Sequence, residues 1–114
     1  MSLNLHLLFK ECARRALEEH WQKKGSQVVI LLSGESMGTT LPAGSKVIVS
    51  FSKRPRVRRN QIVYIRRGTR RVVHRLKAII GPFCLEKGDA VPHPSFCWRK
   101  DILGTIEVNP PACI

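Results

Sequence analysis

The residue periodicity changes at Gly25, and that change restricts the folds open to this chain. Before it, Leu5, Leu8, Phe9, Cys12, Ala13, Ala16, Leu17 and Trp21 recur at three- and four-residue steps, the spacing that lines up side chains on one face of an α-helix. Lys10, Arg14, Arg15, Glu18 and Glu19 fall largely on the other face, and Lys23, Lys24 and Gly25 supply a basic last turn and a stop. After it, short β-branched runs alternate with turn residues: Gln27 to Leu32, Lys46 to Phe51, Gln61 to Arg66, Arg71 to Leu76, Ala78 to Leu85 and Leu103 to Val108. These runs predict strands. Arg67-Gly68-Thr69-Arg70 reads as a hairpin link, and Pro42-Ala43-Gly44 and Lys87-Gly88-Asp89 as turns. The expected class is mainly β: a compact coiled sheet or partly open barrel over residues 26–114. An amphipathic helix over residues 1–25 stands before it, its apolar stripe packed on the domain.

A length of 114 residues suits one domain with a modest core. The 20 Lys and Arg against 8 Asp and Glu give a formal charge of +12, concentrated between Lys53 and Lys77. Such a field attracts nucleic acid, anionic lipid or acidic polypeptide. Cys12, Cys84, Cys97 and Cys113 lie far apart without a zinc spacing, so neither a metal nor another cofactor is expected. The longest apolar run, Val28 to Leu32, is far short of a membrane span. The expected location is the cytoplasm with reduced thiols, a membrane-surface role for the helix being the alternative.

Ser33-Gly34-Glu35-Ser36-Met37-Gly38 interrupts the strand texture with a glycine-flanked serine directly after an apolar run. A serine hydroxyl is a weak nucleophile and needs a base. His74, in Arg71-Val72-Val73-His74-Arg75-Leu76, falls by strand alternation on the face of Val72 and Leu76. Desolvation there favours the neutral imidazole, which can accept a serine proton at physiological pH.

Five blocks carry a resemblance: Gly34 to Met37, Gly44 to Val49, Val73 to Arg75, Lys87 to Asp89 and Asp101 to Ile106. In this order, over about residues 26 to 108, they resemble the signal peptidase I-like family, which includes the LexA-type self-cleaving proteases. The resemblance implies that Ser36 is the nucleophile and that Met37 is the methionine following it. His74 then stands where bacterial signal peptidases carry lysine and the endoplasmic-reticulum and archaeal forms carry histidine. Lys77 is out of register with that lysine. Asp89 matches the acid of the family's Lys-Gly-Asp turn and is expected to support His74. Histidine-type relatives carry a second acid near the position of Ser95.

Other departures mark this chain. Thr39 replaces a proline of the family pattern, Ser45 an aspartate, and Gly34 the serine whose hydroxyl helps bind the oxyanion in membrane signal peptidases. The segment Ser33, Gly34, Glu35, Ser36 is closer to LexA-type proteins, so the oxyanion is expected on backbone amides, that of Ser36 among them. No helix-turn-helix supports a repressor. The implied activity is that of a serine endopeptidase cleaving a leader, propeptide or signal-like segment, its substrate extended along the edge of Gln27 to Leu32 or Lys46 to Phe51. Two alternatives compete with it. One is a non-enzymatic domain binding a polyanion through Lys53 to Arg59 and Arg66 to Arg75, against which Tyr64, between those stretches, is the sole aromatic from Lys53 to Arg75 and a poor platform for stacking on bases. The other is a degenerate peptidase kept as a peptide-binding scaffold.

Overall fold

The computed structural model describes residues 5–107, with side chains from Leu8 onward. Val108, Cys113 and the Leu5 side chain lie outside the described residues. A helix, α1 (Leu5–Lys24), precedes the strands β1 (Gln27–Leu31), β2 (Lys46–Phe51), β3 (Ile62–Arg67), β4 (Arg70–Ile80), β5 (Phe83–Lys87), β6 (Ser95–Trp98) and β7 (Ile102–Glu107). All pairings are antiparallel, in the order β1-β2-β7-β3-β4-β5-β6. The chain is therefore mainly β, and its sheet ends at β1 and β6 without closing into a barrel.

Alternating side chains split the core between the two faces of this sheet. On one face Val49, Phe51, Ile62, Tyr64, Val73, Leu103 and Ile106 pack with Met37 and Leu41 from the β1–β2 connection. The Phe51 ring meets Trp21 at 5.1 Å and Tyr64 at 5.4 Å between centroids, which seats the end of α1. On the other face Val63, Ile65, Leu76, Cys84, Cys97 and Ile102 form a second cluster. The bulge at Lys77 keeps this cluster continuous, because it lets Leu76 pair with Glu86 and Ala78 with Leu85. One extra residue restores the apolar face for Ile79 beyond it.

Three expectations are corrected here. Ala78 to Leu85 is not one strand: β4 ends at Ile80, Gly81 and Pro82 turn, and β5 begins at Phe83, since proline has no N–H for the ladder. Strand β6, in Ser95-Phe96-Cys97-Trp98, was not anticipated; its Cys97 is buried opposite Cys84 while Phe96 and Trp98 stay exposed.

The third correction concerns α1, whose apolar stripe docks only through Trp21 among the described side chains. Leu8, Phe9 and Leu17 are 51%, 75% and 47% exposed, and Cys12, Ala13 and Ala16 are exposed with them. The face turned to the sheet carries Glu11, Glu18 and Trp21. Glu18 is fully buried and accepts from Arg71 Nε at 2.8 Å and Nη2 at 2.7 Å, and from the Tyr64 hydroxyl at 3.1 Å. Arg71 Nη2 also donates to Glu11 at 2.8 Å. A bidentate arginine pair is geometrically exacting, and it fixes which side of α1 meets the sheet. Burial would lower the Arg71 pKa, but the hydrogen bonds to Glu18 and Glu11 outweigh that and raise it.

Candidate functional site

The serine expected to act as nucleophile is held by its neighbours on both sides. Met37, 3% exposed, anchors the segment in the first core cluster. The Ser36 carbonyl accepts the Ala90 amide at 2.8 Å, tying the serine to the turn that follows β5. Gly88 makes this approach possible: a Cβ on it would lie 2.5 Å from the Ser36 carbonyl oxygen and 3.0 Å from the Ser36 Cβ. The Lys87-Gly88-Asp89 turn is thus the platform on which Ser36 rests.

His74 pairs with Val63 across β3 and β4 and is 9% exposed. Leu76, two residues on and on the same face, pairs with Glu86 of β5. Glu86 is therefore the diagonal neighbour of His74, within reach of a long side chain, and its Oε2 contacts His74 Nδ1. The other carboxylate oxygen accepts from Arg67 Nη2 at 2.6 Å. Burial of Glu86, which is complete, would raise its pKa; the hydrogen bonds from His74 and Arg67 outweigh that and hold it below the ordinary value. An ionised carboxylate only accepts, so it keeps the His74 proton on Nδ1 and leaves Nε2 as the basic nitrogen.

Asp89 does not make this contact. Its carboxylate accepts from Arg75 Nε at 3.0 Å and Nη2 at 2.9 Å, and from Thr40 Oγ1 at 2.7 Å. The Arg75 hydrogen bonds outweigh burial, which raises its pKa, and with the Thr40 hydrogen bond and the Arg75 and Lys77 charges they lower it to about 2. Arg75 neighbours His74 on β4 but faces away from it, as alternation requires. Asp89 consequently couples the serine segment to β4, and Glu86 is the acid at the imidazole.

Ser36 and His74 line one cleft of about 850 Å³, together with Ser33, Gly34, Glu35 and Met37. Its two sides are strand edges. Strand β1 pairs with β2 alone, and β5 pairs with β4 only from Arg75 onward. Arg70 to His74 therefore bond to β3 on one side and leave the other side open. Strand β2 is no such edge, because β1 and β7 flank it; of the two expected substrate edges, only β1 is free. Gly34 takes φ +83°, a left-handed conformation strained for serine. The Ser36 amide makes no hydrogen bond to another described residue, as an amide reserved for an oxyanion must.

Sequence reasoning missed Glu86. Its sequence signal pointed the other way: alternation in Phe83-Cys84-Leu85-Glu86 sets the glutamate opposite the more apolar Phe83 and Leu85, and only the structure shows that the Cys84–Glu86 side is the buried one. Among the described residues, no three His, Cys, Asp or Glu gather as metal ligands, and no helix is long and apolar enough to cross a membrane. No protein-family model and no curated protein matches this chain.

Proposed function

We propose that this protein is a serine endopeptidase resembling the signal peptidase I-like family, with Ser36 as nucleophile, His74 as general base and Glu86 as the residue that positions His74. The observation that carries the reading is the wholly buried Glu86 carboxylate on His74 Nδ1, behind the imidazole that lines the same cleft as Ser36. A structural histidine needs only a hydrogen-bond partner. An ionised acid on Nδ1 and a serine in the same cleft supply the parts of an acyl-transfer site, and substrate binding would bring Ser36 Oγ and His74 Nε2, which share no hydrogen bond in this structure, into contact. Ser95, near which histidine-type relatives carry an acid, stands directly opposite Glu86 in the β5–β6 ladder. In this reading the carboxylate has moved across one strand pair.

In the proposed reaction a substrate peptide lies extended in the cleft and adds main-chain hydrogen bonds to β1 and to the open part of β4. Ser36 attacks the scissile carbonyl while His74 Nε2 takes its proton, and the Ser36 amide bonds the oxyanion. His74 then gives the proton to the leaving amine, and water hydrolyses the acyl-enzyme. The Glu86 charge stabilises the transient imidazolium. Labelling by a fluorophosphonate probe tests this: the native protein is expected to be modified at Ser36, and Ser36→Ala and His74→Ala to be inert. Equal labelling of the native protein and His74→Ala would refute the mechanism.

A second reading rests on the β2–β3 connection. Lys53, Arg54, Arg56, Arg58 and Arg59 are all exposed there, and none makes an ion pair with a described residue. A non-enzymatic polyanion-binding domain would use them. Oligonucleotide binding that falls steeply with salt, together with unlabelled Ser36, would favour that reading.

A further inference from the structure

Two arginine pairs directly oppose each other in the β3–β4 hairpin: Arg66 faces Arg71, and Arg67 faces Arg70. Like charges at directly opposed positions destabilise a ladder, so each must be offset. Arg71 is offset by Glu18 and Glu11, and Arg67 by Glu86. Arg70 and Arg66 have no carboxylate among the described residues, and the buried Arg66 Nε has no hydrogen-bond partner there. Arg14, half-exposed on α1, reaches over the hairpin tip to the Thr69 carbonyl at 3.4 Å and shares Glu11 with Arg15 and Arg71. This end of the molecule thus collects Arg14, Arg15, Arg66, Arg67, Arg70 and Arg71 around only Glu11, Glu18 and Glu86.

That surplus opens into the cleft, whose lining includes Arg14, Arg67, Thr69, Arg70 and Arg71 and, beside Ser36, a single carboxylate, Glu35. Arg70 is on the His74 face of β4, four residues away, or roughly 13 Å at the rise of a strand. We infer that the cleft selects acidic polypeptide, reading a carboxylate about four residues from the bond presented to Ser36 through Arg70 and Arg14. The fold keeps a repulsive cross-strand pair that apolar or neutral residues would relieve, and uncompensated local conflict of this kind marks a binding function. The two open strand edges call for a single extended chain. Arg67 contributes charge but stays committed to Glu86, so the exposed Arg70 and Arg14 do the reading.

This inference takes its extended ligand from the peptidase reading, but its test needs no hydrolysis. Full-length Ser36→Ala protein is titrated into a fluorescein-labelled unstructured peptide with spaced glutamates, and into the same peptide with glutamine at those positions. The glutamate peptide is expected to bind about tenfold more tightly at low salt; Arg70→Ala and Arg14→Ala each lose about threefold, the size of an exposed ion pair. Both arginines are exposed, and circular dichroism confirms that the variants fold. Equal affinity for the two peptides overturns the inference. So does binding that ignores Arg70 and Arg14 but disappears when Lys53, Arg54 and Arg56 are neutralised. A single-stranded oligonucleotide that binds more tightly with the same arginine dependence overturns it as well. Cleavage of neutral and acidic peptides at equal rates would end the inference and leave the peptidase; acidic binding with Ser36 inert to the probe would do the reverse.

Discussion

Glu86 reaches His74 diagonally across β4 and β5, and with no exposed surface it is as deeply buried as any residue of the second core cluster. A carboxylate in that position is maintained by its two partners, His74 and Arg67. Removing either leaves one buried carboxylate oxygen without its partner, which is costly.

Glu86→Gln keeps the shape but loses the charge that fixes the His74 tautomer. Peptidase turnover is expected to fall roughly 10³- to 10⁴-fold, by analogy with other acid–histidine–serine systems. The rate of probe labelling at Ser36 measures it directly. A loss below tenfold would mean that Glu86 serves the fold alone.

Asp89→Asn separates the two acids. The Asp89 pKa is lowered from 3.8 to about 2. Its contribution to stability is therefore full above pH 3.8 and is lost as pH falls toward 2. Urea unfolding between pH 2 and 5 is expected to show a shallower acid loss in Asp89→Asn, with a cost of about 1 to 3 kcal/mol at neutral pH from unpairing Arg75. Activity should fall far less than in Glu86→Gln.

Gly88→Ala tests the platform beneath the serine. A methyl 2.5 Å from the Ser36 carbonyl oxygen must displace either the Ser36 segment or the Lys87-Gly88-Asp89 turn, at about 1 to 3 kcal/mol. Labelling of Ser36 is expected to drop further than stability does, because the clash falls on the proposed nucleophile. Thermal melting and labelling kinetics on the same sample give both quantities.

The docking of α1 depends on Arg71. Arg71→Met leaves the buried Glu18 without its bidentate partner, and a broken buried pair costs about 3 to 5 kcal/mol. Urea denaturation is expected to show that loss. The double variant Arg71→Met with Glu18→Leu should recover much of it, since no charge is then stranded.

Thiol reactivity reports the second cluster. Burial, with the nearby Cys84 and Glu86, raises the Cys97 pKa to about 12, and burial also raises that of Cys84. Iodoacetamide at pH 8 is expected to alkylate the exposed Cys12 and to spare Cys84 and Cys97 until denaturant is added. Peptide mass mapping identifies the modified thiols.

Periodicity and turn chemistry determined α1, the class of the fold and, within a residue or two, β1, β2, β3 and β7 and the start of β4, because burial on one face of each element leaves a repeat in the sequence; the far end of β4 was read into the next run. Ser36 and His74 were singled out by the order of the five blocks that carry the family resemblance, since flanking glycines and strand position alone suit a turn serine and a core histidine. Which acid would meet His74 was decided by strand pairing: the Leu76–Glu86 register brings Glu86 diagonally onto the imidazole, while alternation turns Arg75, and Asp89 with it, to the other side. The helix tells the same story. Its apolar stripe was plain in the sequence, yet Glu18 was buried and Phe9 left exposed, since a bidentate contact with Arg71 exists only once β4 and α1 are side by side. Local spacing determines which faces a segment owns. Only the tertiary structure decides which face is used, because charge pairing acts between residues that the sequence keeps 53 positions apart.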